Sequence, residues 1–287
     1  MLNRRLRRGL LASVAGLAVV ICGAPAAQAA THTTSANWAG YAATRSGVKF
    51  RHVSATWVQP AVACTAGRST YSSTWVGLGG DSVSSTALEQ IGTEADCSAS
   101  GTAHYSTWYE LVPEASHSAR LVIKAGDQMH ASVAVSGHSV TVKLADLTRG
   151  TSFTKTLRAS VVDTTSAEWI VEAPSLCTSS TTSGCTIGAL ANFTTTGFSA
   201  ASATTTAGHT GTISDPAWHA TTIDLTSAAG PGRRFADQSS AGAGGAQATT
   251  GNLDGTGSAF TVAFQPGTAA TAAPAGGPSV AARRTGG

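Results

Sequence analysis

The feature that most limits the fold of this chain is a series of short segments rich in β-branched and aromatic residues. Turn signals such as Gly79-Gly80-Asp81 and Ala125-Gly126-Asp127 separate several of them. No stretch after residue 30 shows sustained helical periodicity. The segments predicted to be strands are Val53–Val58, Thr74–Leu78, Thr107–Val112, Ala119–Lys124, His130–Val135, Ser139–Leu144, Ser152–Leu157, Glu168–Glu172, Thr221–Leu225 and Ala259–Phe264.

Two of these segments, Ser139–Leu144 and Ala259–Phe264, alternate apolar with small or polar residues, as strands buried on one face do. Half-buried strands at this density predict an all-β fold, a single-domain antiparallel β-sandwich over residues 30–265. The stretch Ala228–Gly257 is rich in Gly, Ala and Ser and is predicted to be a long loop before the last strand. Residues 266–287 have too few large apolar side chains to offset their ordering entropy, which predicts a disordered tail.

Residues 1–29 have the pattern of a secretory signal peptide. Four arginines precede a short apolar run, Leu10–Cys22, and the small residues of Ala27-Gln28-Ala29 follow at a cleavage position. The apolar run is shorter than the roughly 20 residues that a transmembrane helix needs. We therefore expect a secreted, extracellular protein that is a monomer and has no membrane contact in its mature form.

The charge balance argues against nucleic acid as a partner. The chain has 18 Lys plus Arg against 15 Asp plus Glu, and four of the basic residues belong to the predicted signal, which leaves 14 − 15 = −1. No basic patch remains that could bind phosphates. Charged residues make up only 11% of the chain, so few ion pairs are lost in acid. This composition is compatible with an enzyme that works at acidic pH.

Four cysteines remain after Cys22 leaves with the signal, and an even number in an exported protein predicts two disulfides. Cys177 and Cys185 flank a short Ser/Thr/Gly loop, which favours a local bridge, and elimination then pairs Cys64 with Cys97. Neither a C-x-x-C motif nor a nearby histidine pair accompanies them, so no metal site and no cofactor are expected.

Common catalytic signatures are missing, among them G-x-S-x-G, H-E-x-x-H and the P-loop. What remains is a small set of acidic and amide residues in strand-like segments: Glu89, Gln90, Glu110, Glu168 and Glu172. The two-residue period of a strand puts Glu172 on the face opposite Trp169, where it can line a groove. The same period leaves open whether Glu89 or Gln90 faces a cleft. Glu168 is interpreted as structural or as solvated at a rim.

Five blocks in the same order resemble the glutamic peptidases (eqolisins), in particular their bacterial members. The blocks are Ser35-Ala36-Asn37-Trp38-Ala39-Gly40-Tyr41, Trp75-Val76-Gly77-Leu78-Gly79-Gly80, Thr86-Ala87-Leu88-Glu89-Gln90-Ile91-Gly92, Trp108-Tyr109-Glu110-Leu111-Val112-Pro113 and Ala167-Glu168-Trp169-Ile170-Val171-Glu172. The resemblance implies a sandwich of two large, bent antiparallel sheets, concanavalin-like, with a substrate groove on the concave side.

The resemblance also implies a function: a secreted acid endopeptidase that hydrolyses polypeptides through a Gln/Glu dyad, without metal or covalent intermediate. The family's glutamine falls on Gln90 and its glutamate on Glu172. The positions that line or support the family's groove fall on Trp38, Trp75, Trp108 and Glu110.

One departure from the family pattern stands close to the expected site. Gly79 replaces an aspartate that the family often carries, which predicts altered hydrogen bonding around Gln90. Two other functions fit the residues alone. One is a secreted glycoside hydrolase using two carboxyls, for example Glu110 with Glu172, and the other is a carbohydrate-binding module without catalysis.

Overall fold

The computed structural model describes residues 31–177, 185–226 and 247–267, without the side chain of Cys177. The predicted signal peptide and almost all of the predicted tail lie outside these residues. The described residues form strands and no helix. The strands are β1 (Thr31–Ser35), β2 (Trp38–Thr44), β3 (Phe50–Val58), β4 (Ser73–Gly79), β5 (Leu88–Cys97), β6 (Ala103–Val112), β7 (His117–Ser118), β8 (Gln128–Ser136), β9 (Ser139–Asp146), β10 (Thr151–Arg158), β11 (Ser166–Glu172), β12 (Ser175–Cys177), β13 (Cys185–Ile187), β14 (Thr195–Thr205), β15 (Thr210–Gly211), β16 (His219–Leu225), β17 (Gln247–Thr250) and β18 (Phe260–Gln265).

The all-β, antiparallel fold predicted from the sequence is confirmed. One hydrogen-bonded path runs β10-β9-β8-β3-β14-β18-β17-β16-β2-β11-β4-β5-β6-β7, and β1 joins it as a parallel neighbour of β16. The path folds back on itself, so that β4 packs on β3 and β8 while β5 packs on β8 and β9. The two layers of the sandwich are therefore two arms of one continuous sheet. No helix in the described residues is long and apolar enough to cross a membrane.

Alternation along β11 creates two apolar layers. Trp169 points between the two arms, is fully buried, and donates its indole N–H to the carbonyl oxygen of Ser54 on β3 at 3.0 Å. Ile170 points the other way, into a second cluster on the outer face of the same arm. That cluster comprises Trp38, Ala42, Trp75, Leu88, Trp108, Val112, Ile170 and Ile223. Glu172 follows Ile170 on this second face, as the two-residue period predicts.

Several elements differ from the sequence-based prediction, and β1 and β2 are strands outside the predicted set. Ala119–Lys124 is not a strand, because Arg120 has a left-handed φ of 57° and side chains take its backbone donors. Thr107, for example, accepts a bond from the N–H of Leu121 at 3.0 Å. The long strand β14 was not predicted, and β17 lies within the stretch predicted to be a loop.

The disulfide between Cys64 and Cys97 is confirmed. It ties the segment after β3 to the end of β5 and closes a loop with a sequence separation of 33. A loop of this length corresponds to about 4 kcal/mol of stability in the chain-entropy description. The second predicted disulfide, Cys177–Cys185, involves a side chain outside the described residues and stays a prediction, although the two backbones pair in register between β12 and β13.

Candidate active site

A groove lies over the second apolar cluster and collects side chains from β2, β4, β5, β6 and β11, from residues just beyond β6 and β11, and from the pair β12–β13. These strands are neighbours in the sheet, so their alternate residues form one continuous floor. The lining residues are Trp38, Ser73, Leu88, Gln90, Glu94, Trp108, Glu110, Val112, Glu114, Ser116, Glu172, Pro174, Ser175 and Cys185. Four of the six glutamates of the chain are in this set, and the set contains no lysine, arginine or histidine. The groove is thus rich in carboxyl groups that have no cationic partner among its described lining residues.

Glu172 is held by one donor on each carboxyl oxygen. The side-chain amide of Asn37 donates to Oε1 at 2.9 Å, and the indole N–H of Trp75 donates to Oε2 at 2.8 Å. Asn37 immediately precedes β2, the strand that pairs with β11, and the N–H of Ala173 donates to its carbonyl oxygen at 2.8 Å. The backbone pairing therefore fixes the amide beside the carboxyl group that it contacts.

Gln90 and Glu110 form a cross-strand pair. They are directly opposite in the register of β5 and β6, and Nε2 of Gln90 donates to Oε2 of Glu110 at 2.7 Å. Oε1 of Gln90 is buried and has no hydrogen-bond partner among the described residues. The amide of Gln90 thus keeps one N–H and its carbonyl oxygen available to a molecule in the groove.

The three tryptophans expected at the groove all belong to the second apolar cluster. Trp38 and Trp75 meet edge to face with ring centroids 5.0 Å apart. A side chain at Gly92 would approach Cβ of Trp75 within 2.5 Å, so this position on β5 must stay free for the indole. The indole nitrogen of Trp108 is buried without a hydrogen-bond partner in the described part of the chain, whereas the indole of Trp38 lies close enough to Glu172 to lower its pKa. Trp75 therefore bonds the carboxyl group, while Trp38 and Trp108 line the groove.

The two carboxyl groups deep in the groove both have raised pKa values. Burial raises the pKa of Glu172 to about 8 and the charge of Glu110 adds to that rise, while the side chains of Trp75, Trp38 and Asn37 oppose it. Burial likewise raises the pKa of Glu110 to about 7, against the hydrogen bond from Gln90. The charge of Glu110 therefore acts on the titration of Glu172.

The structure decides between Glu89 and Gln90. Gln90 lines the groove, whereas Glu89 is fully buried on the opposite side of β5, and its carboxyl oxygens have no hydrogen-bond partner among the described residues. Burial raises the pKa of Glu89 to about 8, and backbone N–H groups near Asp163 and Glu89 oppose that rise. Glu168 is also fully buried, so the interpretation as a rim residue is wrong, and only its structural alternative remains.

Gly79 has a physical explanation. Its φ of +86° is a left-handed conformation, and an added Cβ would lie 2.6 Å from Cβ of Asp163. Burial alone would raise the pKa of Asp163, but hydrogen bonds from Ser85 and Thr165 outweigh burial and hold the pKa below its usual value. A carboxylate therefore still lies next to position 79, supplied by the segment between β10 and β11. The hydrogen bond of Gln90 goes to Glu110 instead.

Sequence reasoning missed two contributors to the site. Asn37 stands within a block quoted for its resemblance, but an asparagine beside a tryptophan gives no sign that its amide reaches a carboxyl 135 positions away. Glu94 lines the groove from the same face of β5 as Gln90, four residues further along. The two-residue period was the available signal for Glu94. The described residues contain no cluster of three or more His, Cys, Asp or Glu side chains arranged to hold a metal ion.

Comparison with known proteins supports the resemblance. Residues 36–249 match the peptidase A4 family. The structure is similar to that of scytalidoglutamic peptidase bound to a transition state analog inhibitor, with 25% identity, a TM-score of 0.62, and coverage of 80% of this chain and 98% of that chain. It is also similar to SCP-B, an eqolisin solved with the tripeptide Ala-Ile-His (25%, TM-score 0.58, 80% and 98%), and to aspergilloglutamic peptidase from Aspergillus niger (28%, TM-score 0.50, 68% and 99%). No curated protein matches the chain significantly.

The family match covers well over half of the chain, and the solved glutamic peptidases are covered almost completely. Neither the glycoside hydrolase nor the carbohydrate-binding alternative has comparable support. The chain is a glutamic endopeptidase that acts on polypeptides, and it belongs to the peptidase A4, or eqolisin, family.

Proposed function

We propose that this peptidase hydrolyses peptide bonds with Glu172 as general base and acid and with Gln90 as the group that binds the oxyanion. The observation that carries the proposal is that these two side chains, from β11 and β5, line one groove on the same face of the sheet. Their immediate partners, Trp75 for Glu172 and Glu110 for Gln90, come from the neighbouring strands β4 and β6.

Glu172 has the geometry of a base that faces the substrate. Each oxygen of an ionised carboxyl has two lone pairs, and Asn37 and Trp75 use one on each. A remaining lone pair takes a proton from a bound water, whose oxygen attacks the peptide carbonyl carbon. When the C–N bond breaks, the same carboxyl returns the proton to the leaving nitrogen. Atoms and protons balance without a metal or a covalent intermediate.

Gln90 supplies the part of the reaction that does not titrate. One of its N–H groups is engaged by Glu110, and the other donates to the oxyanion that develops in the transition state. Its unpartnered Oε1 accepts a bond from the attacking water and orients it. Removing one such donor raises the barrier by about 2.7–4 kcal/mol in comparable sites.

The pKa of Glu172 limits the pH range of this mechanism. The base must be ionised, and below its pKa of about 8 the ionised fraction falls about tenfold per pH unit. The buried carboxyls make the folded state more stable under acidic conditions, because burial favours their neutral, protonated forms. We propose that activity is acidic but lies toward the upper, mildly acidic end of the range. Export of the mature chain after residue 29 is part of the same proposal, and N-terminal sequencing of the secreted protein tests it.

Digestion of a denatured protein substrate from about pH 2 to pH 9, a range that includes the pKa of Glu172, tests the dyad. Glu172→Gln is expected to lower kcat/KM about 10²–10⁴-fold, and Gln90→Ala about 10²–10³-fold. Gln128→Ala, an exposed glutamine on β8, is the matched control and should retain wild-type activity. Chelators and reagents for serine or cysteine nucleophiles should have no effect. A folded Glu172→Gln variant with wild-type activity would falsify the proposal.

A further inference from the structure

Ser35 fixes the amide that contacts Glu172. Its hydroxyl accepts the backbone N–H groups of Asn37 and Trp38 at 3.3 and 3.1 Å, and it donates to Oδ1 of Asn37 at 3.3 Å. With Oδ1 engaged by a hydroxyl donor, Nδ2 faces Oε1 of Glu172 at 2.9 Å. Ser35 and Asn37 are both fully buried, so water does not compete for these bonds.

The orientation of this amide has a chemical consequence. If the amide were rotated by half a turn, Oδ1 would lie against the carboxyl group, and two acceptors would face each other. The hydroxyl of Ser35 works against that rotation because it can donate only its single hydrogen. The serine therefore determines that Glu172 meets a donor on this side.

We propose that Ser35 and Asn37 act as a positioning pair for Glu172, which orients its carboxyl group toward the groove and stabilises the ionised form that removes the proton from water. The inference rests on the proposed function, because it assigns a role to residues behind the proposed base. Neither residue lines the groove, so neither is expected to contact the substrate.

The charges around Glu172 explain why such a pair is needed. The other ionisable groups of the groove are Glu94, Glu110 and Glu114, all of which are acids. Burial and the charge of Glu110 both favour protonated Glu172, and the donors Trp75, Trp38 and Asn37 oppose them. No cation in the described lining of the groove shares this task, so neutral donors must perform it.

Two variants test the pair. Ser35→Ala frees the amide of Asn37 to rotate. We expect the base limb of the pH profile, where kcat/KM rises as Glu172 ionises, to move to higher pH by about one unit. Asn37→Asp keeps the shape but replaces the donor with a second carboxyl, and we expect a larger shift in the same direction, since two neighbouring carboxyls share one proton. KM should change less than twofold in both. Ser54→Ala, a buried serine on β3 whose hydroxyl contacts Ser202 on the adjacent strand β14, is the control and should leave the profile unchanged.

NMR titration of the Glu172 carboxyl carbon reads the same pKa without any turnover. The proposed function can therefore fail, with no proteolysis by the wild type, while the titration still shows the pair acting on Glu172. The inference is overturned if folded Ser35→Ala has the same pH dependence of kcat/KM as the wild type and the same pKa of Glu172 in the NMR titration. Should Asn37→Asp not fold, the milder Ser35→Ala decides alone, with circular dichroism and thermal unfolding as checks of its structure.

Discussion

Glu168 and Glu172 stand on the same face of β11, four residues apart, and burial raises the pKa of both. Their surroundings are opposite. The hydroxyl of Ser166 is the one donor in the described residues that acts on Glu168, and the acids Asp163 and Glu89 lie near it, whereas Glu172 receives one donor on each oxygen and opens onto the groove. Burial and nearby acids therefore keep Glu168 neutral, and a base in such a setting requires more donors.

The cross-strand neighbours show how the sheet creates this difference. Glu168 lies opposite Gly77 on β4, which offers no side chain, and Glu172 lies opposite Ser73, one alternate position from Trp75. On the other side of β11, Glu168 faces Ala42 and Glu172 faces Trp38. One end of β11 thus runs between small residues and the other between residues that can reach a carboxyl group.

The largest expected effect comes from neutralising each carboxyl in turn. Glu168→Gln should keep kcat/KM within about threefold of wild type, because this carboxyl is already neutral and lies outside the groove. Glu172→Gln, in contrast, should lower kcat/KM about 10²–10⁴-fold. Steady-state kinetics at three pH values measure both. Equal losses of kcat/KM in the two folded variants would contradict the difference between Glu168 and Glu172.

The next effect concerns stability against pH. Glu89 and Glu168 are buried and have raised pKa values, so the folded state binds their protons more tightly than the unfolded state does. Stability is then complete below the unfolded pKa near 4.5 and falls as pH rises toward the folded pKa, which is about 8 for Glu89. Each such group costs up to about 1.4 kcal/mol per pH unit.

Urea unfolding at intervals between about pH 4 and pH 8 measures this slope. Glu168→Gln should make the curve flatter and raise stability at neutral pH, while leaving stability at pH 4 close to that of wild type. Stability that increases with pH in the wild type would show that these carboxyls are ionised in the folded protein, and it would remove the contrast with Glu172.

The sequence predicted the class of fold because alternation and turn signals are local properties. It also predicted the faces of β11, since Trp169 and Glu172 obey the two-residue period. It did not predict β14, whose Ser/Thr/Ala-rich segment becomes a strand through pairing with β3 and β18. Ala119–Lys124 has strand-like side chains, but the N–H groups of Arg120, Leu121 and Lys124 donate to side-chain acceptors, and the segment does not form a strand.

The residues of the site also fall into those that could be predicted from the sequence and those that could not. Gln90, Glu172 and the tryptophans could be predicted because a family pattern marks them. Asn37 could not, since its role depends on the register between β2 and β11 and on the hydroxyl of Ser35. The compensation at Gly79 was equally hidden, because Asp163 is distant in sequence and meets it only in the fold.

The smallest expected effect separates the two donors of Glu172 from the charge that opposes them. The charge of Glu110 raises the pKa of Glu172, so Glu110→Gln should lower that pKa and move the base limb of kcat/KM to lower pH by about half a unit. The introduced amide can still accept the bond from Nε2 of Gln90, so the orientation of Gln90 is preserved. This shift is opposite in sign to the one expected for Ser35→Ala, and the two together test whether Glu172 is balanced between a neighbouring charge and neutral donors. A limb that moves upward in Glu110→Gln would mean that Glu110 acts on Glu172 mainly through the position of Gln90, and the contrast with Glu168 would then rest on hydrogen bonds alone.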